Sequence, residues 1–406
     1  MGKTIPRRDF LVAAGVATTA GTALASTSSV TATEQTTPAA PPTQAAIAPL
    51  NNVSQYTVLH QFVREAKTHI PTKGWNYLMG SADTESTLKR NRMALDSVAF
   101  KPRILSGVGK VDLSTSLLGH KMRIPVMLSG VGSVALVHPD GGAAVARAAN
   151  TFGVTMGVSS EAKPGLEAIG AAAPGPKIYQ LYVSGDDAWI DAIAERAVKA
   201  GYTAFGFTVD SASFSRRERD IVSGGQNAGL SDNPNPFRTA FNWDTVKRFK
   251  DRHPNLPLVI KGVTGGEDAA LACDVGASAV WVSTHGGRQL DHGRGSLDIL
   301  AEAVEAVHGR AEIIVDSGFS RGSDVVKAMA YGATAVGIGR LYCYGLGVGG
   351  DAGVVRVLEI LEKEIYACMA NLGVSSFSKL NRSYTSPAMP VNAPSIFSAF
   401  PLIDTV

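Results

Sequence analysis

The run Ser283-Thr284-His285-Gly286-Gly287-Arg288-Gln289-Leu290-Asp291 sets a histidine beside two glycines, with an arginine three positions on. An imidazole titrates near neutrality and can take a proton from a substrate, while an arginine fork can hold an anionic group next to it. Glycine neighbours give this histidine no local packing, which argues against a satisfied core residue. The run Ser215-Arg216-Arg217-Glu218-Arg219-Asp220 has two readings, a solvated face or the source of a second cation. Asp316-Ser317-Gly318 and Gly337-Ile338-Gly339-Arg340 combine glycines with a cation and could cradle a phosphate. The alternative is that Gly337 and Gly339 only relieve crowding. Taken together, these groups imply an anionic substrate and a phosphorylated cofactor.

Such residues need a frame, and the chain supplies a rhythm for one. Short β-branched runs begin at Ile124, Val154, Lys177, Ala204, Pro257, Ala279, Glu312 and Thr334, separated by stretches with helical spacing of apolar residues. Three helices end at Gly201, Gly276 and Gly332, shortly before a strand, as left-handed caps do. Eight β-then-α units predict a single (β/α)8 TIM barrel of the α/β class rather than an open sheet. The polar residues then gather at one rim. Ser159 and Ser160 end the second strand, Gln180 and Tyr182 the third, Thr208 and Asp210 the fourth, and Lys261 the fifth. His285 and Arg288 follow the sixth, Asp316 the seventh and Arg340 the eighth. The long loop after strand 4, residues 218 to 240, is polar and rich in Gly, Asn and Pro, and reads as a lid or as an insertion without a role.

The 406 residues are 45% hydrophobic, enough to build a large core, and a formal net charge of +3 gives no general attraction to nucleic acid. Three cysteines, at 273, 343 and 368, indicate neither a disulfide framework nor a metal knuckle. Residues 1–25 (Arg7-Arg8-Asp9-Phe10-Leu11, then an Ala/Thr/Gly run closing on Ala23-Leu24-Ala25) read as a cleavable twin-arginine-type signal, too short for a comfortable membrane span. Export of a folded, cofactor-loaded protein, to the periplasm or another extracytoplasmic space, is the expectation. Residues 26–50 read as a flexible tether, 53–385 as the barrel with an N-terminal helical extension, and 386–406 as a C-terminal tail. Of 43 glycines, 40 lie from Gly74 onward, so the excess belongs to the folded part.

From about Tyr77 to Gly373 the chain resembles the FMN-dependent α-hydroxy-acid oxidases and dehydrogenases. The resemblance rests on the His285 run, Thr208-Val209-Asp210 with Arg216-Arg217-Glu218, Gln180-Leu181-Tyr182, Gly332 through Arg340, and Leu88-Lys89-Arg90-Asn91-Arg92 leading to Pro102-Arg103. It implies FMN-dependent oxidation of a 2-hydroxy acid to the 2-keto acid, with His285 as base paired to Asp210. Arg217 and Arg288 would hold the carboxylate, and Tyr77 and Tyr182 would contact the hydroxyl or carboxylate. Lys261 would sit at the flavin's N1–O2 edge, Ser159, Gln180 and Thr208 at the ring system. Gly318, Gly339 and Arg340 would take the phosphate, with Ser283 and Asp316 as further cofactor contacts.

Electrons would pass to oxygen or to a quinone or protein acceptor, and relatives suggest a homo-oligomer, a tetramer. Departures are Ser317 for the first glycine of D-G-G, Ser320 for a phosphate-contacting arginine, Gly130-Val131-Gly132 for P-T-A, Thr284 for Asn, and Glu161 where some relatives carry Trp. Glu161 would disfavour a second acidic group and could prefer an amine, or it points away. Rival readings are therefore oxidation of an amine or modified peptide, and a flavin-binding barrel without turnover.

Overall fold

The computed structural model of the protein describes residues 52–224 and 235–405, all within one compact unit. The signal and tether, and residues 225–234 of the long loop, lie outside the described residues. Eight parallel strands close into a barrel in sequence order: β1 (Val126–Leu128), β2 (Met156–Ser159), β3 (Lys177–Leu181), β4 (Ala204–Thr208), β5 (Leu258–Val263), β6 (Ala279–Val282), β7 (Glu312–Val315) and β8 (Ala335–Ile338). All eight runs expected from the sequence are present. Parallel strands are covered on both faces, so they read as continuous apolar runs; β4 and β5 are buried at every residue. Gly201, Gly276 and Gly332 have φ of +83°, +81° and +100°, the left-handed caps that turn three helices back toward the sheet.

Register fixes which residues reach the rim together. Ser159 lies opposite Gln180, and Thr208 opposite Lys261. Below them Met127, Ile178, Ala204, Val259, Ala279, Ile314 and Ala335 fill the interior. A hairpin, Thr115–Leu117 with His120–Met122, adds Leu117 and Met122 to that cluster. The fully buried Trp281 forms its upper boundary: the indole N–H donates to Asp316 at 3.1 Å, and Lys261 Nζ lies 5.4 Å from the ring centroid. The interior is apolar up to this ring and polar above it.

The expected helical extension comprises α1 (Leu59–His69), α2 (Thr72–Met79) and α3 (Ser86–Asp96). Their seating on the catalytic rim depends on the His285 segment. Asp291 accepts from the Thr87 amide at 2.8 Å and from the Thr84 amide at 3.0 Å, so it caps the start of α3 from across the fold. Burial opposes ionisation of Asp291, but hydrogen bonds from Thr84 and Thr87 overcome it and pull the carboxyl down to about 2. Asn91 of α3 donates to Thr284 Oγ1 at 2.9 Å and accepts from the Ser296 amide at 3.0 Å. The two ends of the catalytic segment are thus clamped by one helix.

At the other terminus, a strand Thr385–Pro387 straddles the expected barrel–tail boundary and pairs with Val98–Phe100. Residues beyond it fold back onto α1 and α2, where Phe400 is buried. Among the described residues no helix is long and apolar enough to cross a membrane.

Candidate active site

His285 leaves β6 with φ +56°, a left-handed conformation that costs a β-carbon residue energy and marks a constrained position. Ser317 holds it there. Its hydroxyl accepts from the Gly286 amide at 2.9 Å and the Thr284 amide at 3.2 Å, one on each side of the histidine. Ser317 is itself at φ +82°, and its hydroxyl donates to Asp316 at 2.8 Å. The sequence showed Ser317 only as a missing glycine. Its bonding role depends on two left-handed residues meeting in space, which no local pattern announces.

The imidazole is placed from both edges. Nδ1 lies 3.0 and 3.1 Å from the two Asp210 oxygens, so it carries the proton and donates to the carboxylate. Nε2 is left to accept from the Tyr182 hydroxyl at 3.0 Å. Burial and the charge on Asp210 raise the Tyr182 pKa, which keeps that hydroxyl neutral and donating. Asp210 fits because residue 262 is glycine: at φ +106°, a Cβ there would stand 2.6 Å from the Asp210 carboxyl carbon. Burial opposes ionisation of Asp210, but His285 and Lys261 outweigh it and the carboxyl stays below its ordinary value.

For His285 burial lowers the pKa, Asp210 raises it, Lys261 lowers it, and the net position is below 6.5. The base form therefore persists to the acid side of 6.5, and kcat/KM should fall only below that pH. Asp210→Asn removes the charge that raises the histidine, so the acid limb should move to lower pH while the rate drops. A limb that moved to higher pH in the pH profile of this variant would contradict the pairing.

Arg217, Arg288 and Arg340 are among the arginines that line the same cavity, which encloses about 480 Å³. Arg288 lies with its guanidinium carbon 4.5 Å from the Tyr77 ring centroid and donates to the carbonyls of Tyr77 and Gly80. Among the described residues its Nη2 is buried without a hydrogen bond, and the Asp220 carboxylate is 4.0 Å away. Arg217 donates to the Arg288 carbonyl at 3.1 Å; burial and the Arg288 charge pull it down to about 10. Tyr77 accepts from the Ser133 amide at 3.2 Å and lines the cavity. Clustered, poorly neutralised cations call for an anion.

At the far end Arg340 is half-buried with uncharged partners, the carbonyls of Leu78, Gly80 and Gly286 and the Ser81 hydroxyl. Burial and Arg288 lower it to about 10. Gly339 precedes the helical segment Arg340–Leu372, and a Cβ on it would meet nothing within 4 Å. A Cβ on Gly337 would stand 2.4 Å from Ser129 Oγ, so this glycine relieves crowding while Gly339 faces open space. The two sequence readings of the pair thus divide between its members.

These features fit FMN. Gln180 donates to Thr208 at 2.8 Å while its Oε1 is buried with no partner among the described residues, an acceptor suited to a donor such as a flavin ring N–H. Lys261, Gly318, Gly339 and Arg340 line the cavity, with an open glycine at a helix start and a half-buried cation beside it. Gln180 and Lys261 would hold the ring system, Gly339 and Arg340 the phosphate. Thr208 stands behind Gln180, and Ser159 Oγ accepts from the Glu161 amide at 3.2 Å.

Ser283 and Asp316, expected as direct contacts, are engaged with each other at 2.6 Å. Of the two, Asp316 lines the cavity and Ser283 stands behind it. Asp316 also accepts from Ser317, Trp281 and, at 3.3 Å, Ser129. Ser320 lines the cavity, but its hydroxyl is turned to a local bond, donating to the Gly318 carbonyl at 3.3 Å.

Glu161 lines the cavity 3.5 Å from Arg238, a residue the sequence did not single out. Arg238 comes from Pro236–Ala240, the described end of the long loop, and sits 5.1 Å from the Tyr182 ring centroid and 5.5 Å from that of Phe214. The Glu161 charge is therefore offset at the mouth of the site.

The sequence profile of the FMN-dependent dehydrogenase family matches residues 66–387. An L-lactate oxidase of Nostoc sp. is 36% identical over 354 residues, covering 80% of this chain and 97% of that protein. Glycolate oxidase 5 of Oryza sativa subsp. japonica is 34% identical, covering 82% and 95%. Among solved structures, flavocytochrome b2 with sulfite bound superposes with a TM-score of 0.78 at 34% identity, covering 83% of this chain and 88% of that one. Mandelate oxidase with (S)-2-phenylpropionate gives 0.76 at 35%, covering 82% and 100%. With the profile matched over most of the chain and these relatives covered almost end to end, the chain belongs to the FMN-dependent dehydrogenase family.

Proposed function

We propose that the protein oxidises a 2-hydroxy acid to the 2-keto acid, with FMN as the immediate electron acceptor. The observation that carries this reading is that one cavity is lined both by His285, paired through Nδ1 with Asp210, and by Arg288, whose Nη2 has no hydrogen-bond partner among the described residues. Arg288 and Arg217 bind the substrate carboxylate, and its arrival offsets the Arg288 charge that, after burial, depresses Arg217. Tyr182 and His285 Nε2 face the C2 hydroxyl. The reaction removes two electrons and two protons from C2 and its oxygen. His285 takes one proton at Nε2, and Asp210 stabilises the resulting imidazolium through Nδ1. FMN, when bound, supplies the sink for both electrons and the remaining proton. Lys261 holds positive charge next to that sink, above the Trp281 ring.

A base has no purpose in a barrel that only binds, so the non-catalytic reading loses its support. The amine reading drew on a free carboxylate at Glu161, and Arg238 offsets that charge. The reduced enzyme passes its electrons to oxygen or to a quinone or protein acceptor, and a homo-oligomer, a tetramer by family resemblance, is the proposed assembly. Turnover of a panel of short, dicarboxylic and aromatic 2-hydroxy acids with an artificial electron acceptor identifies the substrate; turnover of amines alone would refute the proposal.

We further infer that residues 1–25 direct export through the twin-arginine route and that residues 26–50 tether the enzyme to that signal. The support is the Arg7-Arg8-Asp9-Phe10-Leu11 start and the small-residue run behind it. Replacing Arg7 and Arg8 together by Lys should leave the full chain inside the cell, loaded with cofactor. Unimpaired export of that variant, read by cell fractionation, would exclude the route.

A further inference from the structure

The family profile ends at residue 387, yet the chain continues to residue 406 and the added residues dock with specific contacts. Phe397 stacks on Trp75 of α2, with ring centroids 6.3 Å apart and planes at 14°, and Trp75 leans on Tyr344 at 6.1 Å. Phe400 is 1% exposed and meets His60 of α1 edge-on at 5.6 Å. Arg321, just after β7, donates to the Ala399 carbonyl at 3.2 Å. Internal bonds from Ser398 to Ser395 and from the Phe400 amide to Phe397 fold the segment into a compact turn.

This turn sits at a particular end of the cofactor cavity. Ile396 is part of the cavity wall, together with Phe319, Ser320 and Tyr344. Tyr344 lies one helical turn beyond Arg340. Ser398 Oγ reaches Asp96 at 3.5 Å; Asp96 pairs with Arg92, and Arg92 donates to the Gly318 carbonyl at 2.9 Å. The tail is thus connected to both glycine segments of the phosphate end. Residue 320 is a serine whose hydroxyl bonds locally, and the wall at that end combines Arg340 with an apolar side chain from the tail.

We propose that residues 395–403 are a cofactor-retaining element: a C-terminal strap, contributed from outside the family's common span, that closes the phosphate end of the FMN site through Ile396. The proposal rests on the FMN reading of the cavity. By excluding water and blocking an exit, a wall of this kind acts chiefly on the release rate. Its anchors are aromatic, so it stays seated without covalent attachment.

The test compares FMN release from the full chain, from a chain ending at Ala388, and from Ile396→Asp, which keeps both aromatic anchors and places a carboxylate in the wall. Loaded protein is diluted, and the rise of free-flavin fluorescence is followed alongside the far-UV circular dichroism of the protein. The truncated chain should release FMN about tenfold faster or more, and Ile396→Asp several-fold faster, both with circular dichroism unchanged. If the truncated chain fails to fold, Ile396→Asp alone decides. Release rates equal to the full chain in a folded variant overturn the strap. A full chain that takes up no FMN would instead overturn the cofactor reading itself, a different outcome from equal release.

Discussion

His285→Ala should slow anaerobic reduction of the bound flavin by a 2-hydroxy acid about 10²–10⁴-fold, with the visible flavin spectrum retained. The expectation follows from where the imidazole sits. Its Nδ1 is committed to both oxygens of Asp210, which leaves Nε2, 3.0 Å from the Tyr182 hydroxyl, as the nitrogen that can accept a proton. Tyr182 cannot substitute, because burial raises its pKa and keeps its proton in place. The loss should fall on the rate constant for reduction at saturating substrate rather than on binding, since Arg217 and Arg288 remain. His285→Gln should be no better than alanine. Flavin reduction at the wild-type rate in a stopped-flow trace of His285→Ala would remove the histidine from the chemistry.

Arg288→Leu should lower kcat/KM for a 2-hydroxy acid roughly 10²–10³-fold, as expected when one side of a buried charge pair is removed. Arg288 is the residue whose loss an anionic substrate would feel most. Its guanidinium lies against the Tyr77 ring, with a buried Nη2 that no described residue bonds. The same side chain also holds the Tyr77 and Gly80 carbonyls, so loss of fold must be separated from loss of recognition. A neutral 2-hydroxy ester provides the separation. Wild type and variant should oxidise it at similar, slow rates, because neither gains from the cation. Arg288→Lys should recover part of the activity toward the acid, having the charge but not the planar fork. An equal loss with acid and ester would mean that Arg288 only supports the fold.

Much of this site was legible in sequence because the chemistry depends on residue types that strands deliver to one rim. Thr208 opposite Lys261 and Ser159 opposite Gln180 are consequences of strand register, which buried β-branched runs fix strongly. Other roles could not be read there. Ser317 bonds the amides flanking His285 only because both residues adopt positive φ, a property of tertiary strain rather than of composition. Asp291 reads as the end of a catalytic motif, yet its carboxylate caps α3 some two hundred positions earlier. Gly337 and Gly339 look equivalent in sequence and differ in space by what stands beside them. Residues 386–406 have no helical or strand periodicity, so Phe397 and Phe400 read as scattered apolar residues until Trp75 and His60 are seen against them. Arg238 was hidden in a loop whose composition signals only irregular chain.

The most direct test is an anaerobic titration of the purified, flavin-loaded protein with the 2-hydroxy acid that it turns over best. The oxidised flavin absorbance should bleach in step with the acid added, with one 2-keto acid formed per flavin reduced. A flavin that stays oxidised with every 2-hydroxy acid, or that bleaches without forming a 2-keto acid, would contradict the proposed reaction.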